Sequence, residues 1–191
     1  MTSLPLVWGE GGIGDILAQG DKPPALTPVE SLATVDPVDV RDADMLSRPH
    51  VLMLAQPRRL APQELVALDN WVQSGGRLLM FADPLLVWPS NYPLGDNRRP
   101  VPVSLLDPLL DHWGLKLGNA EAGGEAEQIV ALRGEKVVTM RPGYWLRLDP
   151  VCQKDGIVAT CRIGEGRVIA VADADWLDAR VWARSNGANA L

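Results

Sequence analysis

The sequence predicts an α/β fold: a parallel sheet with an antiparallel β insertion, built by one domain of 191 residues. Three observations predict it. Between residues 50 and 86, two short continuous apolar runs flank one amphipathic helix pattern. From residue 125 to residue 163 the hydrophobic period changes to two, with turn signals between the runs. Residues 166–172 then return to the continuous apolar pattern of a strand buried on both faces.

The central unit justifies itself residue by residue. Val51-Leu52-Met53-Leu54 is short enough for a buried strand, and Pro57 stops it. Pro62 suits a first helical position, where its missing N–H costs nothing. Glu64 stands in the first turn, where a negative charge suits the helix dipole. Position 61 is Ala, so only half of a capping box is present. Leu65, Leu68 and Val72 form the apolar stripe, and Gly75-Gly76 ends the helix. Leu78-Leu79-Met80-Phe81 is the second strand, closed by Asp83-Pro84. Two such strands around a helix make a βαβ unit with parallel strands.

The other elements follow in order. Leu4 to Trp8 reads as a short strand, and residues 33–40 as a less buried one. Residues 87–102 are a long loop with four prolines and two aromatics. Loops of that length in a compact domain are usually functional or mobile. Leu105, Leu106, Leu109, Leu110 and Trp113 make a helix stripe that Gly114 stops, with a short strand at residues 115–117. Strands are expected at residues 128–133, 136–141, 145–148 and 157–163, with turns at Gly134-Glu135, Pro142-Gly143 and Asp155-Gly156. From Asp175 onward the chain reads as a final helix.

The central unit also carries a family resemblance. Gln56-Pro57, Leu60-Ala61-Pro62-Gln63-Glu64-Leu65, Leu68-Asp69-Asn70-Trp71-Val72, Ser74-Gly75-Gly76-Arg77-Leu78-Leu79 and Ala82-Asp83-Pro84 resemble the extracytoplasmic domain of gliding-motility-type ABC-transporter accessory proteins. A weaker match, Gly164-Glu165-Gly166-Arg167-Val168 through Asp175, is similar to the last sheet strand of the same group. The resemblance implies a flavodoxin-like, three-layer architecture of the class I glutamine amidotransferase-like group. It implies a non-catalytic domain for protein contact or ligand sensing, with membrane components of a transporter as partners. It also implies a periplasmic or other extracytoplasmic location, tethered by membrane helices outside this chain. The matched motifs are structural, so they speak for fold more than for chemistry.

Composition narrows the classes. Hydrophobic residues make up 47% of the chain, as in a folded globular protein. Lys and Arg number 18 against 24 Asp and Glu, a formal charge of −6, so a nucleic-acid partner is not expected. No apolar run approaches the ~20 residues of a membrane span, and the N-terminus lacks the features of a signal peptide. The last residues read as a helix entering an apolar stretch without a cap. The expectation is the soluble part of a membrane-anchored protein, and the alternative is an intact cytoplasmic one. Self-association stays open.

Candidate chemistry is sparse. Gly9-Glu10-Gly11-Gly12-Ile13-Gly14 fits a dinucleotide loop, but Gly20 and Pro23-Pro24 follow too soon for a crossover helix, so no cofactor is expected. Cys152 and Cys161 flank a hairpin turn. A two-residue Asp-Gly turn would set residue 152 opposite 159, which favours two free thiols over a disulfide. Neither His50 nor His112 lies in a His-x-Glu pattern, so no nucleophile–base pair is expected and no catalytic residue is assigned. Asp173, Asp175 and Asp178 fall just past the carboxyl end of a predicted strand, where doubly wound folds bind ligands, and Asp83, past the other buried strand, joins the same edge. The favoured reading has Asp175 capping the final helix and Asp173 and Asp178 solvated, with no metal. The rival reading makes that edge the site of a hydrolase or transferase, and a third makes the chain a cytoplasmic small-ligand-binding domain. Trp88 and Tyr92, with Arg98 and Arg99 beside them, are the candidate partner surface.

Overall fold

The structure is a computed structural model and describes residues 1–6, 10, 27–30, 33–36, 51–119, 127–147 and 149–184. A short helix, α1 (Thr27–Glu30), precedes the central unit. That unit is β1 (Leu52–Ala55), α2 (Pro62–Gln73) and β2 (Arg77–Phe81). As expected, β1 and β2 pair directly and in parallel, Leu52 opposite Leu78 and Ala55 opposite Phe81. Val51 lies outside the strand and is exposed. The Glu64 carboxylate accepts the Ala61 N–H at 2.6 Å, the half of the capping box that the sequence retains.

The sheet continues through β9 (Gly166–Val171), parallel to β2, then β8 (Val158–Ile163) and β7 (Cys152–Asp155), each antiparallel to its predecessor. Its order is β1-β2-β9-β8-β7. The result is a mixed α/β sheet, because the last hairpin of the expected insertion joins the main sheet. The rest of the insertion forms two small ribbons. β4 (Glu127–Leu132) pairs with β5 (Glu135–Met140), and β3 (Lys116–Gly118) pairs with β6 (Tyr144–Arg147). Helix α3 (Asp107–His112) buries Leu109 and Leu110.

Two rows of side chains cross the parallel strands. Leu52, Leu78 and Val168 align, as do Leu54, Met80 and Ala170, and all six are buried. Met53, Leu79 and Ile169 align on the opposite face and are only partly covered. The described residues therefore do not give the full cover on both faces that a three-layer arrangement requires.

The resemblance motifs meet one another. A Cβ on Gly76 would lie 2.5 Å from the Trp71 ring, and one on Gly166 would lie 2.0 Å from the Val72 carbonyl oxygen. Only glycine lets β2 and β9 approach the end of α2 this closely. Trp113 is buried and donates its indole N–H to Asp69 Oδ1 at 2.7 Å, tying α3 to α2.

Three expectations change. Leu4 to Leu6 is a bend and turn rather than a strand. Instead Thr2 lies parallel beside Ala55, because the Met1 carbonyl accepts the Ala55 N–H. Where the final helix is expected, the described residues form a 3₁₀ turn, η1 (Asp175–Leu177), and α4 (Ala179–Trp182), and residues 185–191 lie outside the described residues. Residues 33–36 are irregular, and the rest of that expected strand lies outside the described residues. So do His50 and all of the Gly9–Gly14 loop except Glu10.

Candidate functional site

The carboxyl ends of β1, β2 and β9 open onto one polar cluster. Gln56 follows β1, Asp83 follows β2, and Asp173 and Asp175 follow β9. All four are at most 2% exposed. Gln56 sits in the left-handed region, φ 41°, which a non-glycine residue adopts only when its surroundings hold it there. Its side chain supplies that hold. Gln56 Nε2 donates to the carbonyls of Asp83 and Val101, and Oε1 accepts the Asp83 N–H, at 2.9–3.1 Å.

The three carboxylates come together, with one oxygen of each within 4.8 Å of the others. Each also accepts backbone N–H groups from the segments that cover the edge. Asp83 takes Leu85 and Ala174, Asp173 takes Met140 and Trp176, and Asp175 takes Val87. Five of the six oxygens are thus occupied by N–H donors among the described residues. Burial is the first influence on their acidity. It pushes the Asp83 carboxyl up to about 6 against the opposing N–H bonds. It pushes Asp175 up to about 8, again against its N–H bond and helped by the charge of Asp83. Asp173, fully buried beside both, is held well above the usual carboxylate range.

The expectation for these aspartates is therefore corrected. Asp173 and Asp178 are buried, not solvated, Asp175 caps no helix, and Asp83 at the same edge is buried too. The cap of α4 is Asp178, whose carboxylate accepts the Arg180 N–H. Three buried carboxyls this close can share protons, or offer one oxygen each to a divalent cation. Either use competes with the N–H bonds already made.

The cysteines are corrected as well. Cys152 and Cys161 form a disulfide, Cα to Cα 4.1 Å. The hairpin turn is Gly156-Ile157, one residue later than expected, which sets Cys152 directly opposite Cys161. Neither sulfur is a free nucleophile. His112 is exposed, with Nε2 3.3 Å from Asp69 Oδ2.

The long loop is held in place and carries its aromatics half-buried. Trp88 packs against the core. Tyr92 lies under the Arg98 guanidinium, 4.0 Å from the ring centre, and donates its hydroxyl to the Glu10 carbonyl. Arg98 is paired with Asp96, whose carboxyl it holds down at about 2. Arg99 donates to the Tyr92 carbonyl. Both arginines are thus engaged within the loop. The exposed groups are mixed: Leu94 at 77%, with Leu85, Val87, Val103 and Leu105, stand beside exposed Asn91, Asn97 and Arg98. Residues 83–86 and 102–104 are bonded to each other, Leu86 N–H to the Pro102 carbonyl and Ser104 N–H to the Asp83 carbonyl. Those two segments set Leu85 and Val103 over the aspartate cluster's cover. Gln56 had only its place in the resemblance motif to mark it, Leu105 is exposed before α3 instead of joining its apolar stripe, and the other exposed apolar residues carried no signal in the sequence.

Comparison with known proteins agrees with this structural picture. A family model described as an ABC-type uncharacterized transport system matches residues 24–160, well over half of the chain. The chain belongs to that family. No curated protein matches it. Among solved structures it is similar to the mmIFT52 N-terminal domain, with a TM-score of 0.58 at 14% identity, covering 83% of this chain and 81% of that one. It is also similar to part of Gan42B, a GH42 beta-galactosidase from G. stearothermophilus, with a TM-score of 0.53 at 12% identity. That match covers 87% of this chain and 25% of the galactosidase. At these identities the likeness is one of fold. No helix among the described residues is long and apolar enough to cross a membrane.

Proposed function

We infer that this chain is a non-catalytic, extracytoplasmic accessory domain of its ABC-type transport system, and that it works by contact with the membrane components of the transporter. The observation that carries this reading is the state of the carboxyl edge. In an open α/β sheet that edge is where ligands and reacting groups sit. Here it is filled by the chain's own segments, with Asp83, Asp173 and Asp175 spent on backbone N–H groups. Exposed apolar side chains, Leu94 above all, stand beside the polar Asn91, Asn97 and Arg98 on a loop fixed by Tyr92, Arg98 and Arg99, with Leu85 and Val103 at its two ends. Exposed apolar groups on a fixed scaffold mark contact surfaces. Ligand sensing is the second use such a domain could have, and its place would be the same loop.

The disulfide supports the location. Stable disulfides belong to oxidising compartments. We read the fold as a reduced flavodoxin-like, amidotransferase-like domain tethered by membrane helices beyond this chain. The test is Leu94→Asp with Val103→Asp, both exposed, assayed for thermal stability and for co-purification with the transporter's membrane component. Lost co-purification at retained melting temperature is the expected result. Unchanged co-purification would remove the loop from the contact.

A further inference from the structure

The outer edge of the sheet depends on one covalent bond. β7 is the last strand of the order, and no further strand lies beyond it among the described residues. Its side chains give it little hold. Cys152 is half-buried, while Gln153, Lys154 and Asp155 are exposed, and Val151 before them is exposed too. The hairpin is fastened at its tip. Asp155 Oδ2 accepts the Arg133 N–H at 2.8 Å, and the Ile157 carbonyl accepts both the Trp145 indole N–H and the Ala172 N–H at 2.9 Å. At its open end the Val151 and Cys152 N–H groups bond locally, to the Asp149 side chain at 3.0 Å and the Asp149 carbonyl at 2.8 Å, rather than to another element. There the ladder thins to the Arg162 N–H on the Val151 carbonyl at 3.4 Å, next to the disulfide. The partner sulfur belongs to Cys161, which is 1% exposed and fixed on β8.

We propose that the Cys152–Cys161 disulfide is a reducible latch that keeps β7 on the sheet, so that a dithiol reductant releases the strand without unfolding the domain. Cys152 is the more accessible partner. A reductant thiolate attacks its sulfur, the S–S bond breaks, and Cys161 leaves as a thiolate that takes up a proton. The reductant's second thiol then attacks the mixed disulfide, forms the reductant's own disulfide and releases Cys152 as a thiol. Two electrons and two protons pass to the protein. What remains on β7 is a short ladder in which no side chain is fully buried and only Cys152 is half-buried. Release would leave the outward N–H and C=O groups of β8 unpaired, which is the condition for adding a strand from elsewhere. This goes beyond the accessory-domain reading and stands whichever partner the loop contacts.

The experiment compares hydrogen exchange of the oxidised domain with the same domain in dithiothreitol at neutral pH. A cross-link closing a loop of this size restrains opening on the order of 10- to 100-fold. Amides of Cys152–Asp155, and those of β8 facing them, should exchange faster by that factor on reduction. Those of β1, β2 and β9 should keep their rates. Cys152→Ser, which leaves Cys161 in place, should show the reduced pattern without reductant. Three results would overturn the proposal: unchanged protection of β7 after reduction, simultaneous loss of protection in every strand, or a bond that dithiothreitol does not open while the domain is folded.

Discussion

Asp175→Asn removes one ionisable proton from the carboxyl edge and leaves its hydrogen bond in place. The Asn carbonyl can accept the Val87 N–H as Asp175 Oδ2 does, and the other oxygen has no N–H donor among the described residues to clash with the amide. The sign of the pH effect follows from the direction of the shift. Burial raises the folded pKa of Asp175 from 3.8 to about 8 and that of Asp83 from 3.8 to about 6. The stability that goes with holding these protons is complete below about pH 4 and is lost as pH rises through the folded values. For Asp175 the raised interval is about 4 units, or about 6 kcal/mol at roughly 1.4 kcal/mol per unit. Asp83 and Asp173 return part of this by holding protons when Asp175 is ionised, so we expect about 2–3 kcal/mol. The assay is urea unfolding at pH 5, 7 and 9. The wild-type domain should lose stability from pH 5 to 9. Asp175→Asn should lose about 2–3 kcal/mol less, and match the wild type within about 1 kcal/mol at pH 5. A wild-type stability that rises over this range, or a variant with the same slope, would refute the picture of a closed, proton-holding edge.

Other variants probe the parts that build this edge. Gln56→Ala strips partners from the Asp83 N–H and from two carbonyls, and should cost about 2–4 kcal/mol in the same unfolding assay. Gly76→Ala forces the Trp71 ring off the start of β2 and should cost about 1–3 kcal/mol, visible as a lower melting temperature. Titrating Ca²⁺ or Mg²⁺ at pH 8 should leave the melting temperature unchanged, since five of the six aspartate oxygens already accept N–H groups. A saturable rise would make the cluster a cation site.

The βαβ unit was legible because its signals are local: two continuous apolar runs, a proline at a helix start and a glycine pair at its end. The resemblance motifs were legible for the same reason, and the structure explains them as close approaches of Gly76 and Gly166 to α2. The aspartate cluster was only half legible. Sequence position puts Asp83, Asp173 and Asp175 at one edge, but their burial depends on N–H donors at Leu85, Val87 and Met140, which no spacing rule connects to them. The disulfide was missed through a single residue of turn register. Taking Asp155-Gly156 as the turn moves Cys152 two positions along its partner strand, and the true Gly156-Ile157 turn brings the sulfurs face to face. The left-handed Gln56 has no local sequence mark, because its conformation is held by groups from residues 81, 83 and 101.

The long loop, on this proposal, is a contact surface for the transporter's membrane component. The most direct measurement is photo-cross-linking in intact membranes with a photoreactive residue at Leu94, the most exposed large apolar side chain described, in the full-length protein. A control carries the same residue at Val66 on the exposed side of α2. A cross-link is expected from position 94 to a membrane subunit of the transport system and none from position 66. Equal labelling from both positions, or cross-links from position 66 alone, would contradict it.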